Sequence, residues 1–164
     1  MNSAYRLLAE RIRSEITEID RVVQRALTAW SKVNQYPEED MYLDVVALNL
    51  HSFYSGIERL FELIARYVER DLPTSPTWHR DLLQQMALDI SDIRPAVIDH
   101  SDVASLDEFR RFRHLVRNVY TTNLVPEKMG GLMATLPGLW PRLRSELLAF
   151  ADFLEALAQA EEES

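Results

Sequence analysis

The stretch "LDVVALNLHSFYSGIERLFELIARYV", residues 43–68, decides the fold. Its apolar residues Leu43, Val46, Leu50, Phe53, Ile57, Leu60, Ile64 and Val68 step by three or four positions. On a helix of 3.6 residues per turn that spacing builds one continuous apolar face. Upstream, Leu8, Ile12, Ile16, Ile19, Val23, Ala26, Trp30 and Val33 repeat the pattern. Tyr36-Pro37 ends that first long helix, because the residue before a proline is pushed out of the helical region. The acidic Glu38-Glu39-Asp40 precede the second helix, and Leu72-Pro73-Thr74-Ser75-Pro76 breaks it. Trp78, Leu82, Met86 and Ile90 predict a shorter third helix that stops before Pro95. Ser105 and Glu108 form a capping box that opens a fourth. Pro126 starts a short helical turn stopped by Gly130-Gly131. Thr135 and Pro137 then introduce a last helix carrying Leu139, Leu143, Leu147, Phe150, Leu154 and Leu157. Glu161–Ser164 reads as a frayed tail. No stretch alternates with period two for long, and no internal repeat, long linker or second domain is visible. The expectation is one all-α domain over residues 1–164, an up-and-down bundle of five to six helices.

A chain of 164 residues with 47% hydrophobic content has material for a sizeable core. It has no cysteine, which removes disulfides and thiolate metal sites from consideration. The first twenty residues, MNSAYRLLAERIRSEITEID, are charged throughout and read as neither signal peptide nor membrane span. A soluble cytoplasmic protein without membrane association is expected. The net charge of -8 argues against nonspecific nucleic-acid binding by the whole surface.

Against that acidic background, Arg110, Arg111, Arg113, His114 and Arg117 fall within eight consecutive positions. Projected at 100° per residue, the apolar arc of this helix holds Leu115, Val119, Phe112, Val116, Phe109 and Tyr120. Arg113 comes about 20° beyond Tyr120, on the seam between core and solvent. Arg117, Arg110, Thr121, His114 and Asn118 follow on the polar side. A seam position is partly desolvated, which strengthens an arginine–phosphate contact. Two simpler readings stand beside it. The charged arc is then an ordinary solvated face, or Arg113 pairs with a core carboxylate, with Glu58 on the second helix as one candidate.

Four segments together resemble the HepT-like branch of the HEPN superfamily of small α-helical bundles. "LNLHSFYSGIERLFELIARYV" (48–68) resembles that branch's second helix and "TWHRDLLQQMA" (77–87) its third. "FRRFRHLVRNVYTTNLVPEKM" (109–129) is similar to its signature helix and following turn. "LWPRLRSELLAFADFLEAL" (139–157) is similar to its last helix. The family signature is an arginine, a polar residue, three further positions and a histidine, often with a tyrosine two beyond. Here these positions hold Arg113, His114, Asn118 and Tyr120, so asparagine stands where the signature has histidine.

The resemblance implies a homodimer whose two signature helices form an RNA-cleaving cleft, metal-independent and without a cofactor. It also implies a toxin–antitoxin pair with a small nucleotidyltransferase that adenylylates Tyr120 to silence the toxin. Arginine stabilises developing phosphorane charge, and histidine moves a proton near neutral pH. Asparagine holds a phosphate oxygen but carries no proton. The expected site is therefore Arg113, His114 and Asn118 for the chemistry, with Arg110 and Arg117 on RNA phosphates and Tyr120 as the modified residue. His114, four residues before Asn118 on the same face, is either the substitute proton carrier, a phosphate contact or an exposed polar residue. The alternative function is a non-catalytic HEPN module that partners a nucleotidyltransferase or binds RNA without cutting it.

Other chemistry finds little support. No Glu-x-x-His pair, zinc-ligand spacing, phosphate-binding glycine loop or nucleophile elbow occurs, so no metal is expected. Trp30, Trp78 and Trp140 read as core or interface anchors, and His79 as a structural or capping residue.

Overall fold

The computed structural model describes residues 2–118 and 126–164. Among them the chain forms five α-helices: α1 (Asn2–Gln35), α2 (Asp40–Ile64), α3 (Trp78–Met86), α4 (Asp102–Asn118) and α5 (Pro126–Glu163). The all-α bundle expected from helical periodicity is what the chain builds. α1 stands antiparallel to both α2 and α5. Toward α2, Arg59 Nη2 donates to Glu15 Oε1 at 2.8 Å, and Gly56 sits so close to Ile19 that an added Cβ would meet Ile19 Cγ1 at 2.8 Å. Toward α5, Trp140 Nε1 donates to Asp20 Oδ1 at 2.9 Å, and Arg13 binds Asp152 and Glu155. The core collects Leu8, Ile12, Ile16, Ile19 and Val23 from α1, and Leu50, Phe53, Ile57, Leu60 and Ile64 from α2. α4 bridges α2 and α5: Phe109 meets Phe53 edge-on at 5.2 Å, and Asp102 takes Arg142.

The helix boundaries differ from the sequence expectation in four places, each for a physical reason. α3 ends at Met86 rather than running through Ile90. Arg94, fully buried, donates to the carbonyls of Gln85, Leu88 and Pro95 while pairing with Glu69. That guanidinium satisfies carbonyls the helix end leaves open. Ile90 meanwhile exchanges backbone hydrogen bonds with Arg94 across a turn held by Asp92 at φ 65°.

α4 begins at Asp102, one turn before the Ser105–Glu108 pair, so Ser105 lies inside the helix. Asp99 turns the chain into it, accepting the Ser101 N–H on Oδ1, and Asp102 places its negative charge in the first turn.

Gly130-Gly131 does not stop a helix, and Pro137 does not start one. α5 is continuous through Gly130, Gly131, Pro137 and Pro141. An interior proline costs about 3 kcal/mol and an interior glycine about 1. Burying Met133, Leu136, Leu139, Trp140 and Leu143 outweighs this at about 1.5–3 kcal/mol each.

The expected frayed tail is helical through Glu163. Arg6 Nη2 reaches Glu162 at 2.8 Å and Gln159 at 3.1 Å, tying the end of α5 to the start of α1.

Candidate functional site

α4 turns its core face differently from the sequence projection. Leu106, Phe109, Phe112 and Arg113 are buried, while Leu115 is exposed and Val116 half-buried. Arg113 is therefore not a seam residue. Its side chain is 7% exposed and enters the core beside α2, where Glu58 waits at 6% exposure. Arg113 Nη2 donates to Glu58 Oε1 at 2.9 Å, and Nη1 approaches Ser55 Oγ at 3.4 Å. The guanidinium lies over the Tyr54 ring, 5.1 Å from its centroid. The paired core carboxylate left open by the sequence is the arrangement present.

A third element closes the cluster. α3 starts with Trp78 and His79, whose rings stack at 3.6 Å, and His79 Nδ1 lies 2.8 Å from Glu58 Oε2. The same nitrogen is 3.2 Å from Arg113 Nη2. Arginine only donates, so Nδ1 cannot accept from it and also donate to Glu58. The shorter contact, to an anionic oxygen, assigns the proton: Nδ1–H donates to Glu58, so the imidazole and the guanidinium both donate to one carboxylate. Burial, then the negative charge of Glu58, raises the Tyr54 hydroxyl's pKa well above its ordinary value. Burial first, then Glu58, also holds Glu62 above the usual carboxylate range. Tyr54 Oη and Arg113 Nε are buried with no hydrogen-bond partner among the described residues.

The other cations of the helix are handled locally. Arg110 Nε donates to Asp107 Oδ1 at 2.7 Å, and Arg111 meets Asp107 and Glu108 at 3.0 and 3.1 Å. Pairs of this kind near the surface are worth about 0–1 kcal/mol, so a phosphate can displace them. His114 is exposed on the same helix. Arg117 and Asn118 continue the helical backbone, their side chains lying outside the described residues, as does Tyr120 entirely. The structure thus joins Arg113 to Glu58 and His79 rather than to His114. His79, read from sequence as a structural or capping residue, joins this cluster, a connection the sequence did not show. Its partners are 21 and 34 positions away, and no local pattern links them. Among the described residues no group of three or more histidines or carboxylates is placed to hold a metal ion, and no helix is long and apolar enough to cross a membrane.

A second cluster, around the buried Asp102, anchors the entry to α4. Arg142 Nε and Nη2 both reach Asp102 Oδ1 at 2.8 Å, and the Asp99 N–H donates to Glu146 Oε2 at 2.8 Å. Asp102 Oδ2 and Glu146 Oε1 are buried without a donor. A proton on Glu146 shared with Asp102 would satisfy both oxygens. Burial, then the hydrogen bond with Asp102, pushes the Glu146 carboxyl up to about 7, against the pull of the Asp99 N–H. A raised folded-state pKa means the protonated form favours folding. The stabilisation is complete below the ordinary carboxylate value and is lost as pH rises through about 7. Thermal melts from pH 5 to 8 are expected to show Tm falling across this window. Glu146→Gln, which keeps a donor toward Asp102 and does not titrate, is expected to flatten that slope. Equal slopes in the two proteins would dismiss the shared proton.

An all-α bundle with a buried arginine on its fourth helix, clamped by a carboxylate of the second, is the class defined by this geometry. A family model described as HepT-like protein matches residues 45–154, from α2 through most of α5. The chain belongs to this HepT-like family, a branch of the HEPN superfamily. Neither a curated protein nor a solved structure matches it.

Proposed function

We propose that this chain is the toxin-side HEPN module of a two-component system whose partner is a small nucleotidyltransferase. It acts in the cytoplasm as a homodimer on RNA, with slow metal-independent cleavage. The observation that carries this reading is the family match, which runs through the helix holding Arg113. Arg110 and Arg117 on the same helix are cations for RNA phosphates, and exposed Leu115 supplies apolar surface for a second subunit. Slow chemistry follows from Asn118 at the signature histidine position and from Glu58 neutralising Arg113.

Retention of labelled RNA on a filter, in chelator and across a salt series, tests the reading. Retention is expected to weaken steeply with salt and to fall further in Arg110→Ala and Arg117→Ala, because each phosphate contact releases condensed counterions. No retention at low salt would leave the non-catalytic module that binds only its protein partner. Tyr120 is the residue proposed to receive a nucleotide, which places phosphate charge beside the arginines and excludes RNA. A partner-dependent mass increase that persists in Tyr120→Phe would move the modification elsewhere.

A further inference from the structure

We infer that His79, on α3, is the proton carrier of this site, taking the role that Asn118 cannot fill. The inference rests on the RNA-cleaving reading above and names the base for it. A histidine that acts as general base needs one ring nitrogen tied to an acceptor, so that the other presents its lone pair. His79 has that arrangement. Nδ1–H donates to Glu58 Oε2 at 2.8 Å, and Glu58 is buried and itself held by Arg113. The ring is further fixed by stacking on Trp78. Nε2 has no hydrogen-bond partner among the described residues, and the side chain remains 31% exposed, against 6% for Glu58. The carboxylate is therefore inside and the imidazole at the boundary with solvent. Arg113, the group that meets developing phosphate charge in this family's signature, lies 3.2 Å from the same ring. Base, orienting carboxylate and guanidinium come from three helices and converge within hydrogen-bonding distance.

His114 is exposed on α4, whereas the Arg113 guanidinium is buried against Glu58 of α2 and lies beside His79 of α3. In the reaction, the RNA 2′-hydroxyl gives its proton to His79 Nε2 and its oxygen bonds to the adjacent phosphorus. The bond to the 5′-oxygen breaks, and that oxygen takes a proton from water. The imidazolium returns its proton to the hydroxide so formed. The products are a 2′,3′-cyclic phosphate and a 5′-hydroxyl end, with the enzyme unchanged.

The test compares wild type, His79→Asn and His79→Ala as purified full chains on labelled RNA in chelator. Cleavage and filter retention are measured together, and far-UV circular dichroism confirms the fold. Asparagine can keep an N–H toward Glu58 but has no titrating nitrogen. Wild type is expected to release cyclic-phosphate ends slowly. His79→Asn is expected to lose about 10²–10⁴-fold in rate while retaining RNA. Free imidazole is expected to restore part of the cleavage in His79→Ala, which a merely structural role for the ring would not permit. Wild-type rates in His79→Asn would overturn the assignment. RNA retained but uncut by wild type would overturn it too, leaving the RNA-binding reading intact. No retention of RNA by any of the three would remove both.

Discussion

Replacing Asn118 by histidine is expected to raise metal-independent RNA cleavage by about 10²-fold or more, with RNA retention unchanged. Asparagine can hold a phosphate oxygen, but it neither takes nor gives a proton at neutral pH. Asn118 is the last described residue of α4, four positions beyond His114. Transesterification moves two protons, one off the 2′-hydroxyl and one onto the leaving 5′-oxygen. With His79 as the sole carrier, water must supply the second. The substituted imidazole would take over that step and complete the family signature on a matching helix. The measurement is the initial rate of cyclic-phosphate formation in chelator, Asn118→His against wild type. An unchanged rate would mean that position 118 does not reach the scissile phosphate. The signature match would then be one of sequence without a shared cleft.

Glu58→Ala is expected to destabilise the fold by about 3–5 kcal/mol, because it strands the Arg113 guanidinium in the core. The contacts that remain carry no negative charge: Ser55 Oγ is at 3.4 Å, His79 Nδ1 at 3.2 Å, and the Tyr54 ring offers only its face. For a domain of this length the loss corresponds to a fall in Tm on the order of 10 °C. The double variant Glu58→Leu, Arg113→Met removes both charges and should recover most of the loss, since apolar replacements of buried pairs are often near neutral. Denaturant titration of the two variants and wild type decides the point. A loss below about 1 kcal/mol in Glu58→Ala would be the size of an ordinary surface pair, and the clamp between α2 and α4 would not be a source of stability.

The two substitutions separate the roles of the pair. Glu58 stabilises the site by compensating Arg113 and orienting His79, but the same neutralisation limits the charge Arg113 can offer a phosphate. Outward of it, Arg110 and Arg111 pair with Asp107 and Glu108, contacts of the near-surface kind that contribute about 0–1 kcal/mol each. Among the described side chains, the arginine cluster thus divides into one cation buried against Glu58 and two paired with acidic neighbours on their own helix.

The helical class was legible from residues 43–68 and 8–33 alone, because burying one face of a long helix forces a repeat of three and four. The same repeat marked Leu50, Phe53, Ile57, Leu60 and Ile64 as core, and all are buried. The family resemblance added the signature positions Arg113, Asn118 and Tyr120. Local punctuation was a poorer guide. Gly130, Gly131 and Pro137 read as breaks, yet α5 passes through them because packing against α1 outweighs their cost. Ile90 read as helix, yet Arg94 binds the carbonyls of Gln85 in α3 and of Leu88 just beyond it, where the chain turns away. The site depended most on packing. Glu58 could be named as one candidate partner for Arg113, but periodicity cannot distinguish a buried guanidinium from one at a seam. The two differ by only a small rotation of α4, and that rotation is set by what α2 and α3 present to it. His79 is the extreme case: nothing near it in the chain marks it out, and its position beside Glu58 and Arg113 exists only once three helices have packed.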